Sequence, residues 1–373
     1  MQAETRKLQG CAVKILRFFS RAIYNHAHPD VPADPLFTYP TWEMALREAA
    51  ALGQDGRMIL VAVSVCHGVA MERVLYDCDN TMGLPRKEID DGLALLYLLG
   101  RPDVELLGVT TTFGNGTVEE VYAQTRKLLR ALGRRDLPLF KGEGERGQPP
   151  TEAARFLAEA VAAHPGQVTL LATGPLGNLR TAAELDPDFW GHVKQIVCMG
   201  GYLRPLRIGW RNVCELNLSG DPEASFAVLN APLRQAQGTA CPVTLMSAHV
   251  CLQAPFGWRD LRQIGPADRR ASLPVRRIVR NWLLAMDLYC GVPRFYLWDL
   301  LPAVYVSYPG LFERNPVRVR STVADLETGT LVLAGEGQGM GVNMPTRILD
   351  RDRFRAILFE AWTQMLSGLA SSE

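Results

Sequence analysis

The sequence predicts an α/β protein with an open, mostly parallel sheet and helices on both faces. Short apolar segments typical of buried strands alternate along the chain with longer segments that have the apolar pattern of helices. Four of these strand-like segments run directly into loops rich in Asp, Asn, Gly or Thr, and they lie at residues 73–76, 107–112, 168–172 and 196–199. This alternation predicts parallel strands joined by crossover helices, a fold that binds ligands at the carboxyl ends of its strands.

Length and composition limit the classes of partner. The 373 residues are 47% hydrophobic and 21% charged, which suffices for one large core or two smaller ones. A net charge of +1 gives no electrostatic footprint for nucleic acid, so no nucleic-acid partner is expected. The eight cysteines lack C-x-x-C pairs and zinc-spaced histidines, which predicts reduced thiols in a cytoplasmic protein. No membrane span is predicted, because no apolar run reaches roughly 18 to 20 residues.

The first 70 residues carry the least information. They are predicted to form an N-terminal extension of uncertain order, followed by one domain at 71–373. Residues 6–24 are basic and loosely amphipathic, which favours a plain surface helix over a segment that lies on a membrane or a partner. Four prolines at 29–40 are typical of a linker.

The most informative stretch starts at residue 77, where DCDNTMGLPRKEIDDGLALLYLL follows a short strand. Its four aspartates lie at the end of the strand and the start of the next helix: Asp77, Asp79, Asp90 and Asp91. Asp90 and Asp91 alone would also suit the first turn of a helix, where the helix dipole favours acidic residues. The D-x-D on the preceding strand end favours a shared site instead. Crowded carboxylates repel unless a cation neutralises them, and hard oxygen ligands select calcium or magnesium over zinc.

Later strand ends add polar groups to the same predicted edge. Asn115 lies in a glycine-rich turn after the second strand, although a tight turn with Thr117 as a helix cap explains the same residues. Thr173 begins a loop with two glycines, which let the backbone approach a ligand so that carbonyl groups also serve as ligands.

Four sequence blocks in order resemble the inosine-uridine-preferring nucleoside hydrolases. They are DxD…DDGLALLYLL, LLATGPLGNL, MGG…ELNLSGDPEA and WDLLPAVYVSYPGLF, and the similarity runs from about residue 72 to about residue 358. The resemblance implies the nucleoside hydrolase fold, a bound calcium ion, and hydrolysis of the N-glycosidic bond of a ribonucleoside to ribose and a free base. It also implies a place in nucleoside catabolism and purine or pyrimidine salvage, and a homodimer or homotetramer.

The resemblance also implies roles for individual residues. The calcium ligands would be Asp79, Asp91, Asp299 and the backbone carbonyl of Thr173. The substrate-binding residues would be Asp90, Asn115, Glu215 and Asn217. The ion would hold the attacking water and the 2′ and 3′ hydroxyls of the ribose. Calcium lowers the pKa of bound water less than zinc does, so a carboxylate base is still needed, and Asp79 is predicted to be that base. A ring of carboxylates would stabilise the oxocarbenium-like transition state.

The chain departs from the family pattern at its first motif and near Glu215. Eleven positions separate Asp79 from Asp90, against four in the family, so the loop at 80–89 is expected to enter the site. The family's asparagine six residues before Glu215 is Gly209 here, and Asn212 can replace it only if the loop is remodelled. Residues 232–241 are predicted to be an inserted surface loop.

The leaving-group acid is a further departure. In purine-cleaving members a histidine precedes the last metal-ligating aspartate, whereas this chain has Trp298, which can stack on the base or simply pack in the core. His249, at the end of a predicted strand, is the candidate substitute acid, with a structural histidine as the alternative. The other candidate donors are Tyr296, Tyr305 and Tyr308.

Two other functional classes remain open on the sequence alone. The segment 74–81 also resembles the first motif of haloacid-dehalogenase-type phosphatases, with Asp77 as the nucleophile, Asp79 as the acid/base and magnesium as the metal. A nucleoside- or sugar-binding protein that keeps the calcium site without turnover is the second alternative. Toward the C-terminus, residues 323–348 suggest a β-hairpin beside the main sheet, and 352–365 a closing helix.

Overall fold

The computed structural model describes residues 71–230, 241–264 and 274–370. The predicted extension at 1–70 lies outside these residues, as does nearly all of the predicted loop at 232–241. The strands, in chain order, are β1 Glu72–Cys78, β2 Val104–Thr111, β3 Leu139–Lys141, β4 Val168–Ala172, β5 Val193–Met199, β6 Arg207–Ile208, β7 Arg211–Asn212, β8 Val243–Met246, β9 Pro255–Gly257, β10 Arg294–Tyr296, β11 Pro316–Val319, β12 Leu333–Ala334 and β13 Met340–Asn343.

Helices follow most of the strands of the main sheet. In chain order they are α1 Asp90–Gly100, α2 Val118–Ala131, α3 Glu152–Ala163, α4 Gly177–Leu185, α5 Phe189–His192, α6 Asn217–Gly220, α7 Pro222–Leu229, α8 Ala248–Cys251, α9 Trp258–Leu261, α10 Val275–Cys290, α11 Leu300–Ser307, α12 Val323–Leu326 and α13 Arg351–Ala370. A 3₁₀ turn covers Pro309–Leu311.

Nine strands form the main sheet in the order β12-β11-β13-β8-β5-β4-β1-β2-β3. Seven neighbouring strands run parallel to one another, namely β13, β8, β5, β4, β1, β2 and β3. Strand β11 is antiparallel to both of its neighbours, β13 and β12. The predicted open, mostly parallel sheet is therefore confirmed. From β1 the chain passes to β2 on one side and later to β4 on the other, so the strand order reverses beside β1 and leaves a crevice there.

Side chains of the central strands alternate between two hydrophobic clusters. Tyr76 and Val197 belong to the cluster that α1, α11 and α13 cover, while Leu75 and Ile196 belong to the cluster that α3, α4 and α7 cover. Because successive residues of a strand point to opposite faces, strands buried on both faces must be apolar throughout. The apolar runs of the sequence are thus explained, and the predicted helices on both faces are confirmed.

All eleven residues of helix α1 are buried. It packs against α13, where the indole nitrogen of Trp362 donates a 3.0 Å hydrogen bond to the carbonyl of Leu93. The close approach depends on Gly100, since a Cβ there would lie 2.0 Å from the carbonyl oxygen of Ala361. This packing fixes the helix whose first residues are Asp90 and Asp91.

The predicted hairpin at 323–348 is wrong. Within that range the chain forms α12, and β12 and β13 each pair with β11 rather than with each other. Strand β13 lies inside the sheet, beside β8, because its Val342 is buried and the side-chain amide of Asn343 donates hydrogen bonds to Thr244 and Tyr305. The predicted closing helix is present as α13.

Gly100→Ala should lower the free energy of unfolding by about 1 to 3 kcal/mol, because the added methyl group overpacks the contact between α1 and α13. The matched control is Gly191→Ala, since a Cβ at Gly191 meets no atom within 4 Å. Urea unfolding of both variants measures the difference. Equal stability of the two variants would show that α13 moves away at no cost.

Candidate active site

The crevice beside β1 collects the polar ends of several elements. Asp79 follows β1, Asn115 follows β2, and Thr173 follows β4. Asp90 and Asp91 begin α1, and Asp299 immediately precedes α11. Because neighbouring parallel strands end at the same edge of the sheet, residues distant in sequence meet at this crevice.

A cluster of buried carboxylates lies at the centre of the crevice. Oxygen atoms of Asp90, Asp91 and Asp299 all lie within 4.8 Å of one another. Asp79 adjoins this group through a contact between its carboxyl group and that of Asp91. The four side chains are no more than 4% exposed. The structure thus brings together the predicted metal ligands, and it adds Asp90, predicted to bind substrate, to the tightest set.

Hydrogen bonds orient Asp91 and Thr173 toward each other. The hydroxyl of Thr173 donates to Oδ1 of Asp91 at 2.7 Å, and the Tyr76 hydroxyl lies 3.3 Å from the same oxygen and 3.0 Å from the Thr173 hydroxyl. The amide of Thr173 donates to the carbonyl of Asp77, which fixes the backbone at the end of β4. A buried network of this kind holds a carboxylate in one orientation.

Asn115 holds the side chain of Asp79. Its backbone amide donates to Oδ2 of Asp79 at 2.6 Å, and its side-chain amide donates to Oδ1 at 3.2 Å. Gly114 allows this approach, because its φ is +148° and a Cβ there would lie 2.0 Å from Oδ2 of Asp79. The glycine-rich turn therefore has a role beyond chain reversal, since it positions a carboxylate.

The electrostatics of the cluster fit a cation. Burial raises the pKa of Asp79, Asp90 and Asp299 well above the aspartate range, and the neighbouring carboxylates raise each pKa further. Burial also raises the pKa of Asp91, although the hydrogen bond from Thr173 opposes the shift. Four converging carboxylates with several free oxygens are a suitable donor set for a hard divalent cation.

A cavity of about 260 Å³ lies beside the carboxylates. Its acidic lining residues are Glu88, Asp90, Glu215 and Asp299. The aromatic lining residues are Tyr202, Trp282, Phe295, Tyr296 and Trp298. The rings of Tyr296 and Trp298 lie 5.6 Å apart between centroids. The cavity therefore combines carboxylates, which stabilise positive charge, with rings that suit a flat apolar group.

The predicted sugar-binding residues differ in how far neighbouring groups already engage their polar atoms. Asp90, Asn115, Glu215 and Asn217 all line the cavity. The carboxylate of Glu215, however, accepts hydrogen bonds from the backbone amides of Gly201, Asn217, Leu218 and Ser219 at 2.7 to 3.1 Å. Its oxygens are thus engaged in holding the start of α6, whereas Asn217 donates its side-chain amide to the carbonyl of Met199.

The structure does not bring His249 to the cavity. The residue lies on the short helix α8, and its neighbour Ala248 lines the cavity instead. Burial and the charge of Arg204 lower the pKa of His249, and its Nε2 atom has no hydrogen-bond partner among the described residues. Of the three candidate tyrosines, only Tyr296 is a lining residue, while Tyr305 and Tyr308 hydrogen-bond elsewhere.

Sequence reasoning did not single out Glu88 or the inner face of α10. Trp282, Met286 and Cys290 line the cavity, and their spacing of four residues is the signal of one helix face. Gly209 is explained by geometry, since its φ is +57° and a Cβ would lie 1.7 Å from the carbonyl of Cys290. Asn212, on β7, does line the cavity.

Comparisons with known proteins address the family directly. The sequence profile of the inosine-uridine preferring nucleoside hydrolases matches residues 74–356. The chain belongs to this family. It is 30% identical to uridine nucleosidase 1 of Arabidopsis thaliana in an alignment of 267 positions, which covers 62% of this chain and 76% of that protein. It is 26% identical to the pyrimidine-specific ribonucleoside hydrolase RihA of Shewanella sp. strain MR-7 in an alignment of 294 positions, which covers 70% of this chain and 86% of that protein.

Solved structures agree on the fold of this nucleoside hydrolase. A plant nucleoside hydrolase superposes with a TM-score of 0.66 at 22% identity, and a purine-preferring ribonucleoside hydrolase from Gardnerella vaginalis with 0.67 at 20%. Each superposition covers 79% of this chain and 99% of the other. The predicted family, fold and enzyme class are thereby confirmed. Across the three described ranges, no helix combines the length and hydropathy needed to cross a bilayer.

The phosphatase alternative is not supported for this nucleoside hydrolase. Asp77, which would be the nucleophile of a phosphatase, lies within β1 and is 1% exposed. Oδ1 of Asp77 accepts hydrogen bonds from the Thr110 hydroxyl at 2.6 Å and the Asn178 amide at 2.8 Å. Burial raises the pKa of Asp77 to about 7. Asp77 is therefore a structural carboxylate beneath the site, and it does not face the cavity.

A divalent cation should stabilise the protein more strongly as the pH rises. Because burial raises the aspartate pKa values in the folded state, the metal-free protein gains protons on folding and loses stability as the pH rises above about 4. A bound cation replaces those protons, and at about a thousandfold excess over its Kd it adds about 4 kcal/mol. Thermal unfolding with EDTA or with calcium, at about pH 5.5 and about pH 8, measures this dependence.

In the same experiment Asp91→Ala should abolish the stabilisation by calcium, whereas the exposed control Asp352→Asn should retain it. Calcium stabilisation that persists in Asp91→Ala would remove Asp91 from the set of metal ligands.

Proposed function

We propose that this nucleoside hydrolase cleaves the N-glycosidic bond of a ribonucleoside to ribose and a free base, with Ca²⁺ as its cofactor. The observation that carries the proposal is one cavity that is lined both by buried carboxylates and by aromatic rings. Cleavage of this bond leaves positive charge on the sugar, which carboxylates stabilise, while the rings offer flat apolar surface to the base.

Asp79, Asp91, Asp299 and the carbonyl of Thr173 would hold the calcium ion. Hard oxygen donors, close spacing and the absence of cationic partners in the described cluster support this assignment. When bound, calcium supplies positive charge that fixes the 2′ and 3′ hydroxyls of the ribose and makes a nearby water easier to deprotonate. Asp90, which lies beside the proposed ligands, would accept a hydrogen bond from one of these hydroxyls.

Asp79 is the proposed base. Its carboxylate is held by both amide groups of Asn115, so it is fixed in one orientation beside Asp91. Asp79 would take a proton from the attacking water, and the other carboxylates would stabilise the charge that develops on the sugar. Burial and the neighbouring carboxylates raise the pKa of Asp79, and a bound cation would oppose that shift and favour the ionised form that a base needs.

The departing base would stack on Trp298, which lines the cavity next to Tyr296. The assignment of His249 as the leaving-group acid remains a prediction, and its place on α8 offers it no support.

A substrate panel needs both uridine and purine nucleosides, because a uridine nucleosidase and a purine-preferring ribonucleoside hydrolase are both similar to this chain. A cytoplasmic homo-oligomer remains part of the proposal, and the free cysteines of the described residues agree with a reducing compartment.

A ribose-release assay with calcium tests the proposal on inosine, adenosine, uridine, cytidine and p-nitrophenyl riboside. We expect release from the activated riboside and from at least one natural nucleoside, which also names the preferred base. Release from the activated riboside alone would show that the loss of the motif histidine removed leaving-group activation. Binding of a nucleoside without release from any substrate would favour the non-catalytic alternative.

Asp79→Asn should lower kcat by about 10²- to 10⁴-fold, because the amide cannot accept the proton of the attacking water. The melting temperature in EDTA should stay close to that of the wild type, since the amide side chain is isosteric and removes one charge from the buried cluster. Asp352→Asn, in an exposed helix turn, controls for the loss of one negative charge. Near-normal turnover by Asp79→Asn would exclude it as the base.

His249→Ala distinguishes an acid from a structural histidine. An acid role predicts a larger loss of kcat on natural nucleosides than on p-nitrophenyl riboside, whose leaving group needs no protonation. Steady-state rates on the two kinds of substrate give the ratio. An equal loss on both would make His249 structural.

A further inference from the structure

The lengthened loop at 80–89 brings an additional carboxylate, that of Glu88, to the cavity. Glu88 lines the cavity beside Asp90, and its side chain accepts a hydrogen bond from that of Asn115. Its charge also acts on Asp90 and Asp299, so it lies close to the carboxylate cluster. The family motif has no room for this residue, because only four positions separate its two aspartates.

The loop at 80–89 is held by a hydrogen bond between its two ends and by contacts with its neighbours. The Thr81 hydroxyl donates a 2.9 Å hydrogen bond to the carbonyl of Glu88, which joins the two ends. The ammonium group of Lys87 donates to the carbonyl of Asn115 at 2.5 Å. The guanidinium of Arg86 lies 6.0 Å from the ring centroid of Tyr289 on α10. These contacts connect the loop to two walls of the cavity and fix the backbone that carries Glu88.

Glu88 lies beside the carboxylate cluster of the proposed site. Its neighbours there are Asp90 and Asn115, and its charge also acts on Cys290 at the end of α10. In the family-motif carboxylate Glu215, Oε1 accepts from three backbone amides and Oε2 from one, which reduces the capacity of Glu215 to bind a polar sugar. A carboxylate accepts hydrogen bonds from hydroxyl groups well, and ribose presents three of them.

We propose that Glu88 is a further substrate-binding residue, which accepts a hydrogen bond from a ribose hydroxyl and thereby determines which sugars the site accepts. The proposal rests on the proposed hydrolysis of ribonucleosides. It assigns a role to the lengthened loop, which serves as a fixed wall of the sugar subsite. The contact does not depend on the charge of Glu88, because a side-chain amide at this position still offers an oxygen acceptor.

The experiment compares wild type, Glu88→Ala and Glu88→Gln on the best natural nucleoside and on its 2′-, 3′- and 5′-deoxy analogues. Glu88→Ala should lower kcat/KM on the parent nucleoside by about 10- to 100-fold, mainly through KM. The loss should disappear with the one analogue that lacks the contacted hydroxyl. Glu88→Gln should recover most of the activity. Glu159→Ala, an exposed glutamate on α3, is the matched control and should behave as wild type.

The deoxy series separates a hydroxyl contact from a structural role. An equal loss on all four substrates, or none on the parent, would overturn the proposal, as would a loss of calcium stabilisation in Glu88→Gln. If the wild type hydrolyses no nucleoside, the proposed function fails, and calorimetric binding of the same four compounds then tests Glu88 without turnover. A wild type that neither cleaves nor binds them would reject both proposals.

Discussion

The mutual repulsion of carboxylates buried at one edge of the sheet is the constraint on which the rest of the site depends. Asp90, Asp91 and Asp299 lie within a few ångströms of one another, Asp79 contacts Asp91, and none of the four is more than 4% exposed. Such a group destabilises a fold unless surrounding elements hold it firmly and a cation or protons neutralise it. The apolar β1, the fully buried α1 and the packing of α13 supply the rigidity.

This rigidity also fixes the two kinds of group that line the cavity. Asp90 and Asp299, which adjoin the carboxylates held by Asn115, Thr173 and Tyr76, line it together with the aromatic rings of α10, β10 and Trp298. The cavity therefore serves two tasks, since stabilising charge on a sugar needs fixed anions, and receiving a base needs flat apolar surface. Few of the groups have to move for both tasks to proceed.

Much of this arrangement was predictable because it follows from local pattern. Strand β4 matches its predicted bounds residue for residue, since it is a short apolar run. Parallel topology then gathers Asp79, Thr173 and Asp299 at one edge. The placement of Glu88 depends on the path of a loop, and that of His249 on a helix that starts one residue before it, so neither could be derived from periodicity. The pairing of β11 with its two neighbours likewise depends on the burial of Val342, which lies on β13 within the sheet.

The distance in sequence between members of the cluster has a consequence for how the protein is made. The backbone amide of Asp299 donates to the carboxylate of Asp90, 209 residues earlier. At about 5 to 20 residues per second, synthesis of the intervening chain takes roughly 10 to 40 s. During that interval the first acidic motif exists without Asp299, so the complete cluster is not available to guide early folding. A cation bound by the complete cluster would therefore act on the finished fold, where it would slow unfolding.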